Sequence, residues 1–207
     1  LAALNGVLAG RPVWVAASTH PGEEEHILEA HKTLKSRFPD LLTILAPRHP
    51  QRGGDVADLC AVEGLSAARR SARTLPDRAT DIYVADTVGE LGLFYRLSPV
   101  AFIGGSLVPH GGQNPIEPAK LGCAIVHGPH VHNFSDVYAA LDRAGGALPV
   151  TDETTFAETL AFLLGTPAQT RNMARAASET VEALAGALDR IGAAIEPFLL
   201  GVKLHGR

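Results

Sequence analysis

The chain has 207 residues, 46% of them hydrophobic and 19% charged, and a formal net charge of -4. A chain of this size can bury a full core, and its weak negative charge, with no run of Lys or Arg, excludes the basic surface that DNA or RNA binding requires. No apolar run reaches the ~18 residues of a membrane span. Cys60 and Cys123 are the two cysteines, and they are expected to be buried thiols of a protein in a reducing, cytoplasmic compartment.

Strand and helix signals alternate through the first 150 residues. The predicted strands are 12–17, 41–46, 81–85, 100–103, 123–127 and 148–150, with a weaker candidate at 67–71. The predicted helices between them are 23–38, 55–63, 88–97, one starting at 114, and 134–144. Such alternation with short connections predicts an α/β fold, a Rossmann-like parallel sheet with helices on both faces.

The last 55 residues carry no strand signal. They predict three consecutive helices, 152–164, 167–184 and 188–200, which form a helical extension over about 152–200. We therefore expect the whole chain, 1–207, to be one domain with a helical C-terminal tail. Because it begins at Leu1 rather than Met, we also expect it to be part of a longer polypeptide.

A glycine-rich loop with a carboxylate one helical turn beyond it is the most informative segment. The loop follows the predicted strand 100–103, and Asn114, Pro115 and Glu117 occupy the positions of a helix cap, the first helical residue and the third. In one interpretation Glu117 reaches back to the cap amide. In the other, free loop amides and the positive helix end bind a phosphate, while Glu117 accepts hydrogen bonds from sugar hydroxyls. The pattern leaves both open.

Polar segments follow the other strands as well, and ligands of an open parallel sheet bind at the carboxyl ends of its strands. These segments are rich in His and Gly and predict a single ligand cleft. Arg48 ends one strand and suits either a phosphate or a surface salt bridge. Glu23–Glu25 are expected to complement a helix N-terminus, and Glu90 is expected to belong to a capping box. The histidines lack zinc-site spacing, and no P-loop, dinucleotide fingerprint or Gly-x-Ser-x-Gly elbow is present.

Six groups of residues form one ordered set from about residue 13 to residue 200. They are Ser18-Thr19-His20 with Gly22-Glu23-Glu24, Pro47-Arg48-His49-Pro50, Asp86-Thr87 with Gly89-Glu90-Leu91, Gly104-Gly105-Ser106-Leu107 through Pro118, Gly128-Pro129-His130, and Asn133-Phe134. This set resembles the 3-deoxy-D-manno-octulosonic acid (Kdo) transferases of lipopolysaccharide synthesis. The resemblance implies the C-terminal, donor-binding half of a two-domain GT-B glycosyltransferase, with the N-terminal acceptor domain absent.

The resemblance also implies the chemistry. The donor would be CMP-Kdo and the acceptor the lipid A precursor, with inverting transfer that needs no metal or other cofactor, at the cytoplasmic face of the bacterial inner membrane. The implied donor-binding residues are Ser18, Thr19 and His20 at the Kdo sugar, Arg48 at the phosphate or base, Gly104, Gly105 and Ser106 at the phosphate, Asn114 and Glu117 at the ribose, and also His49 and Gly89. The family's catalytic base lies in its N-terminal domain, so none is expected here, and the isolated domain is expected to bind CMP without transferring sugar.

Three further expectations complete the sequence analysis. Gln113 stands where many members of the family have His, so it is given no proton-transfer role. Apolar surface near 194–200 is expected to be exposed and to cause weak self-association. The alternatives to a Kdo transferase are a UDP-sugar-dependent GT-B transferase or epimerase, which base preference would reveal, and a non-enzymatic nucleotide-binding module.

Overall fold

Seven parallel strands form the centre of the part of the chain that the computed structural model describes, which is the backbone of residues 2–8 and 10–204 and the side chains of residues 4–8 and 10–186. The strands are β1 Val13–Thr19, β2 Leu42–Pro47, β3 Ala67–Arg69, β4 Ile82–Val84, β5 Val100–Ile103, β6 Ala124–His127 and β7 Ala147–Pro149. Their order is β3-β4-β2-β1-β5-β6-β7, and every neighbouring pair is parallel.

Helices cover both faces of this sheet. They are α1 Ala2–Leu8, α2 Glu24–Lys35, α3 Gly53–Val62, α4 Leu91–Tyr95, α5 Ile116–Lys120, α6 Ser135–Arg143, α7 Glu153–Gly165 and α8 Pro167–Leu204. Among the described residues no helix combines the length and the hydropathy that crossing a bilayer requires. The predicted α/β fold, including the weak third strand, is confirmed.

Two hydrophobic cores lie on opposite faces of the sheet, because successive side chains of a strand point to opposite faces. In β1, Val13, Val15 and Ala17 belong to one core, which α4, α5 and α6 complete, whereas Trp14 and Ala16 belong to the other, with α2, α3 and α7. All five of these residues are at most 5% exposed. Burial on both faces explains why the strands read as nearly continuous apolar runs.

The helical extension differs from the prediction at its end. The helices predicted at 167–184 and 188–200 are one helix, α8, and the prediction of a break was wrong. Gly186 lies between the two predicted helices, and a single glycine costs a helix only about 1 kcal/mol, which neighbouring Ala and Leu residues offset. The surface expected at 194–200 lies outside the residues whose side chains the structure describes.

The sheet order determines where loops meet. The chain passes from β1 outward to β2 on one side and returns to β5 on the other side of β1. The connections that leave the carboxyl ends of β1 and β5 therefore diverge, which opens a crevice between two adjacent strands. The residues that follow these two strands are those that the sequence singled out.

Candidate functional site

The loops after β1 and β5 pack directly on each other. Ser18 has a φ of 58°, an unusual value for a non-glycine residue, and Gly104 N–H donates to the Ala17 carbonyl at 2.8 Å. A Cβ on Gly104 would overlap the Ser18 carbonyl oxygen and lie 2.7 Å from the Thr19 Cα. Only glycine permits this approach, so the structure brings together three of the predicted residues, Ser18, Thr19 and Gly104.

The carboxylate of Glu23 joins these two loops. Its Oε2 accepts the N–H groups of His20 at 2.9 Å and Gly105 at 2.7 Å, and its Oε1 accepts those of Ser106 at 3.0 Å and Leu107 at 2.9 Å. The expectation of free loop amides is therefore wrong for Gly105 and Ser106. Their assignment to the donor phosphate stays a prediction that lacks this geometric support. Sequence reasoning gave Glu23 only a role at the start of α2.

Two predicted residues have side chains that turn away from the crevice. Thr19 is fully buried, and its hydroxyl donates to Glu24 at 2.8 Å. Ser106 is also fully buried; its hydroxyl donates to the Ile103 carbonyl and accepts the Gly128 N–H at 2.8 Å. These two hydroxyls hold the loops in place and are not available to a ligand, so the donor-binding assignments of Thr19 and Ser106 stay predictions without support from their side chains.

Glu24 illustrates the same internal pairing. It is 1% exposed and accepts two hydrogen bonds from the Arg52 guanidinium, at 2.8 Å and 3.3 Å. Removing a carboxylate from water is costly unless a partner compensates its charge, and Arg52 is that partner. Glu24 thus stabilises the start of α2 and is not available to a ligand.

Three histidines gather beside the two loops. The His20 ring stacks on His110 with centroids 3.8 Å apart, and His49 meets it edge-on at 6.3 Å. Gln113 donates to His20 Nε2 at 3.2 Å. Burial, followed by the nearby histidines and by Arg48, lowers the pKa of His20 to about 4. At neutral pH His20 is therefore a neutral imidazole, and accepting from Gln113 at Nε2 corresponds to the tautomer with its proton on Nδ1. Within the described residues no group of three or more His, Cys, Asp or Glu side chains is arranged to hold a metal ion.

A cleft of about 190 Å³ opens beside this cluster, at the ends of β1, β2 and β4. Ser18, Arg48 and Gly89, all predicted donor-binding residues, line it, and Phe94 adds an apolar wall. Arg48 is exposed, and among the described residues its guanidinium forms no hydrogen bond or ion pair. Its charge is directed at solvent rather than at the protein, which favours the ligand interpretation over a surface salt bridge.

Glu117 belongs to α5 and lies against α4. Its carboxylate is exposed and contacts α4, since a Cβ on Gly92 would be 3.0 Å from its Oε1. Asn114 Oδ1 accepts the Ile116 N–H at 2.9 Å, but α5 begins at Ile116 with Pro115 as its cap residue, so the helix starts one residue later than predicted. Among the described residues, however, the Glu117 carboxylate has no hydrogen-bond partner, so the capping-box interpretation is wrong. Of the two interpretations left open by the sequence, the geometry supports an available carboxylate.

Glu90 behaves in the opposite way. Arg70 donates to it twice, at 2.9 Å and 2.6 Å, and the Thr87 hydroxyl donates at 2.6 Å. These bonds, Arg70 first, lower the pKa of Glu90 to about 2. The predicted capping box is wrong, because α4 begins at Leu91 with Glu90 itself as the cap residue; Glu90 instead has a structural role as the ion-pair partner of Arg70, which follows β3.

Comparisons with known proteins agree on one family. No protein-family model matches the chain. It is 40% identical over 190 residues to the 3-deoxy-D-manno-octulosonic acid transferase of Haemophilus influenzae, covering 91% of the chain and 44% of that protein. The Bordetella pertussis protein of the same name is 39% identical over 92% of the chain and 45% of its own length. The chain thus spans less than half the length of these curated relatives.

Solved structures give the same result. The C-terminal CMP-Kdo binding domain of WaaA from Acinetobacter baumannii is 34% identical, with a TM-score of 0.82, over 87% of this chain and 95% of that one. An α,α-trehalose-phosphate synthase from Burkholderia vietnamiensis is 18% identical with a TM-score of 0.58, a likeness of fold alone.

Proposed function

Because the chain belongs to the 3-deoxy-D-manno-octulosonic acid (Kdo) transferase family, we propose that it is the donor-binding half of a glycosyltransferase and that it binds CMP-Kdo. The expected fold, the C-terminal half of a GT-B enzyme, is confirmed by the solved domain that it covers almost completely. That relative is described as binding CMP-Kdo, which supports the same donor here over a UDP-sugar.

One observation carries the proposal at the level of residues: among the described residues, the side chains of Arg48 and Glu117 are exposed and have no hydrogen-bond or ion-pair partner, and both lie beside α4. Arg48 lines the cleft together with Leu91 of α4, and the Glu117 carboxylate rests against the next residue of that helix, Gly92. A nucleoside monophosphate offers a phosphate to a guanidinium and two vicinal hydroxyls to a carboxylate. The two side chains match those two parts of CMP.

In the proposed reaction the binding energy of the nucleotide positions the sugar for attack by an acceptor hydroxyl, and Arg48 offsets the charge on departing CMP. No metal is assigned a role in this proposal. For the whole protein we propose transfer of Kdo to the lipid A precursor at the cytoplasmic face of the inner membrane. The acceptor groove and the catalytic base are assigned to the N-terminal half of the relatives, so this chain alone is proposed to bind the donor without transferring it.

Isothermal titration calorimetry with CMP and, in parallel, UMP tests the proposal on wild type and Glu117→Ala. We expect CMP to bind in preference and the substitution to weaken it about 10- to 100-fold, the value of a hydrogen bond to a charged acceptor. Glu25→Ala is the matched control, because Glu25 is exposed and lies at the start of α2. Preference for UMP would refute the CMP-Kdo assignment, and equal CMP affinity in wild type and Glu117→Ala would refute the role of Glu117.

A further inference from the structure

Glu23 has an unusual environment for a carboxylate. It is fully buried, and among the residues that the structure describes it has no Lys, Arg or His side chain as a partner. Four backbone N–H groups replace a cation, two on each oxygen. Hydrogen bonds to an ionised acceptor are stronger than neutral ones, which is how backbone groups alone can hold a buried anion.

Three of the four donors are consecutive. The N–H groups of Gly105, Ser106 and Leu107 converge on one carboxylate, helped by the positive φ of 68° at Gly105. A concave run of backbone amides of this kind is an anion-binding site. The site lies at the carboxyl end of β5, where a phosphate would be expected in this class of sheet. Here the anion is supplied by the chain itself.

The same loop carries the predicted ribose ligands. Gly112 N–H donates to the Gly105 carbonyl at 2.8 Å, and Gln113 N–H donates to the Gly104 carbonyl at 3.0 Å. Asn114 and the α5 residue Glu117 follow directly. Glu23 therefore fixes residues 105–107, where the loop leaves β5. The hydrogen bonds from Gly112 and Gln113 then fix the end of the loop that leads to the predicted ribose ligands.

We infer that Glu23 is a positioning residue for donor binding: it occupies the amide site after β5, so that the donor phosphate is held by side chains, and it sets the place of Asn114 and Glu117. The identity of the donor rests on the proposed function. The occupation of the amide site rests only on the geometry of the loop. The two parts can be tested separately.

Chemical rescue tests the amide site without any nucleotide. Glu23→Ala removes the carboxylate and leaves four N–H donors around a space that fits formate. In ¹H–¹⁵N spectra of the 207-residue protein we expect formate to shift the Gly105, Ser106 and Leu107 amide signals saturably in Glu23→Ala, and to leave them unchanged in wild type and in Glu25→Ala. Amide signals of Glu23→Ala that do not respond to formate would overturn the inference.

CMP titration tests the positioning role. Glu23→Gln keeps the shape but turns an NH₂ group against two N–H donors, and we expect CMP affinity about tenfold lower in a protein that still folds. Formate should restore the CMP affinity of Glu23→Ala. If Glu23 contributed only to global stability, Glu23→Ala would bind CMP as tightly as wild type at temperatures far below unfolding, and formate would have no loss of affinity to restore. CMP affinities of both variants within twofold of wild type would overturn the positioning role.

The outcomes remain distinguishable from failure of the proposed function. If wild type binds no CMP while formate still shifts the three amides of Glu23→Ala, the donor assignment falls and the occupied anion site stands. If Glu23→Ala does not fold alone, a saturable rise of its unfolding temperature with formate supports the site. Failure to fold at every formate concentration, together with wild-type CMP affinity in Glu23→Gln, overturns it.

Discussion

Replacing Arg48 by Gln separates ligand binding from stability, because the guanidinium is exposed and makes no bond to the described part of the protein. Its removal leaves no protein group unpaired, so the unfolding temperature should not change. Arg52, four residues later, is the matched comparison. It donates twice to Glu24, which is 1% exposed, and its loss leaves a buried carboxylate without its cation. Breaking such a pair costs about 3–5 kcal/mol of stability.

The expected effect of Arg48→Gln on CMP affinity follows from the negative charge of the phosphate that the guanidinium is proposed to bind. A charge-assisted hydrogen bond to phosphate is worth about 1.5–3 kcal/mol, so the CMP dissociation constant should rise about 10- to 150-fold. Cytidine lacks the phosphate, so its affinity should stay within about twofold of wild type. The CMP effect should also shrink as salt is raised, since the interaction is partly exposed.

Calorimetric titration with CMP and cytidine, together with thermal unfolding of Arg48→Gln and Arg52→Gln, measures both consequences. Equal losses of CMP and cytidine affinity would show that Arg48 shapes the cleft rather than meeting the phosphate. A large fall in the unfolding temperature of Arg48→Gln would show that the guanidinium has a protein partner. Either result refutes the reasoning that assigns this side chain to the ligand.

Three further predictions concern the framework of the domain. Gly104→Ala places a Cβ 2.7 Å from the Thr19 Cα and should lower both the CMP affinity and the urea midpoint of unfolding. Gly54→Ala, in helix α3, is the control, because its Cβ would be 3.8 Å from its nearest neighbour and should lower neither quantity. Similar urea midpoints for the two variants would contradict the packing argument. Burial lowers the folded-state pKa of His20 to about 4 from 6.5, so between these pH values the unfolded chain binds more protons and the free energy of unfolding should fall as pH drops. In urea unfolding, His20→Gln should reduce the slope of the free energy of unfolding against pH by up to about 1.4 kcal/mol per pH unit. An unchanged slope would contradict this prediction. Arg11 donates to four backbone carbonyls, at 2.6–3.3 Å, so Arg11→Met should cost about 3 kcal/mol or more in urea unfolding, and a loss below about 1 kcal/mol would contradict that role.

The fold was predictable because its signal is repeated and local. Apart from β3, each strand is an apolar run that two covered faces require, and each is followed by a helix pattern of a different period. The adjacency of β1 and β5 also follows from the class of sheet. The end of the chain was less predictable, since the effect of Gly186 depends on whether the surrounding helix is otherwise favourable.

The structure brings several of the predicted site residues together, but the sequence predicted their contacts only in part. The contacts of Glu23 with Gly105, Ser106 and Leu107 join residues 82, 83 and 84 positions apart, and no local pattern records them. The capping-box pattern around Glu117 is a local signature, yet α5 has five residues and its carboxylate turns toward α4 instead. Tertiary contacts override local propensity where an element is this short.

The carboxylates at the crevice show why the structure was needed to assign roles. Glu23, Glu24, Glu90 and Glu117 all lie close to a helix start after a strand, and each has the local pattern of an acidic residue at a helix N-terminus. A crevice that accepts an anionic donor would repel it if all four charges were uncompensated. Backbone amides compensate Glu23, and arginines compensate Glu24 and Glu90, which leaves Glu117 alone to attract hydroxyl donors. Among the described residues the Arg48 guanidinium has no protein partner either, so the two side chains offer a positive charge suited to a phosphate and a carboxylate suited to sugar hydroxyls.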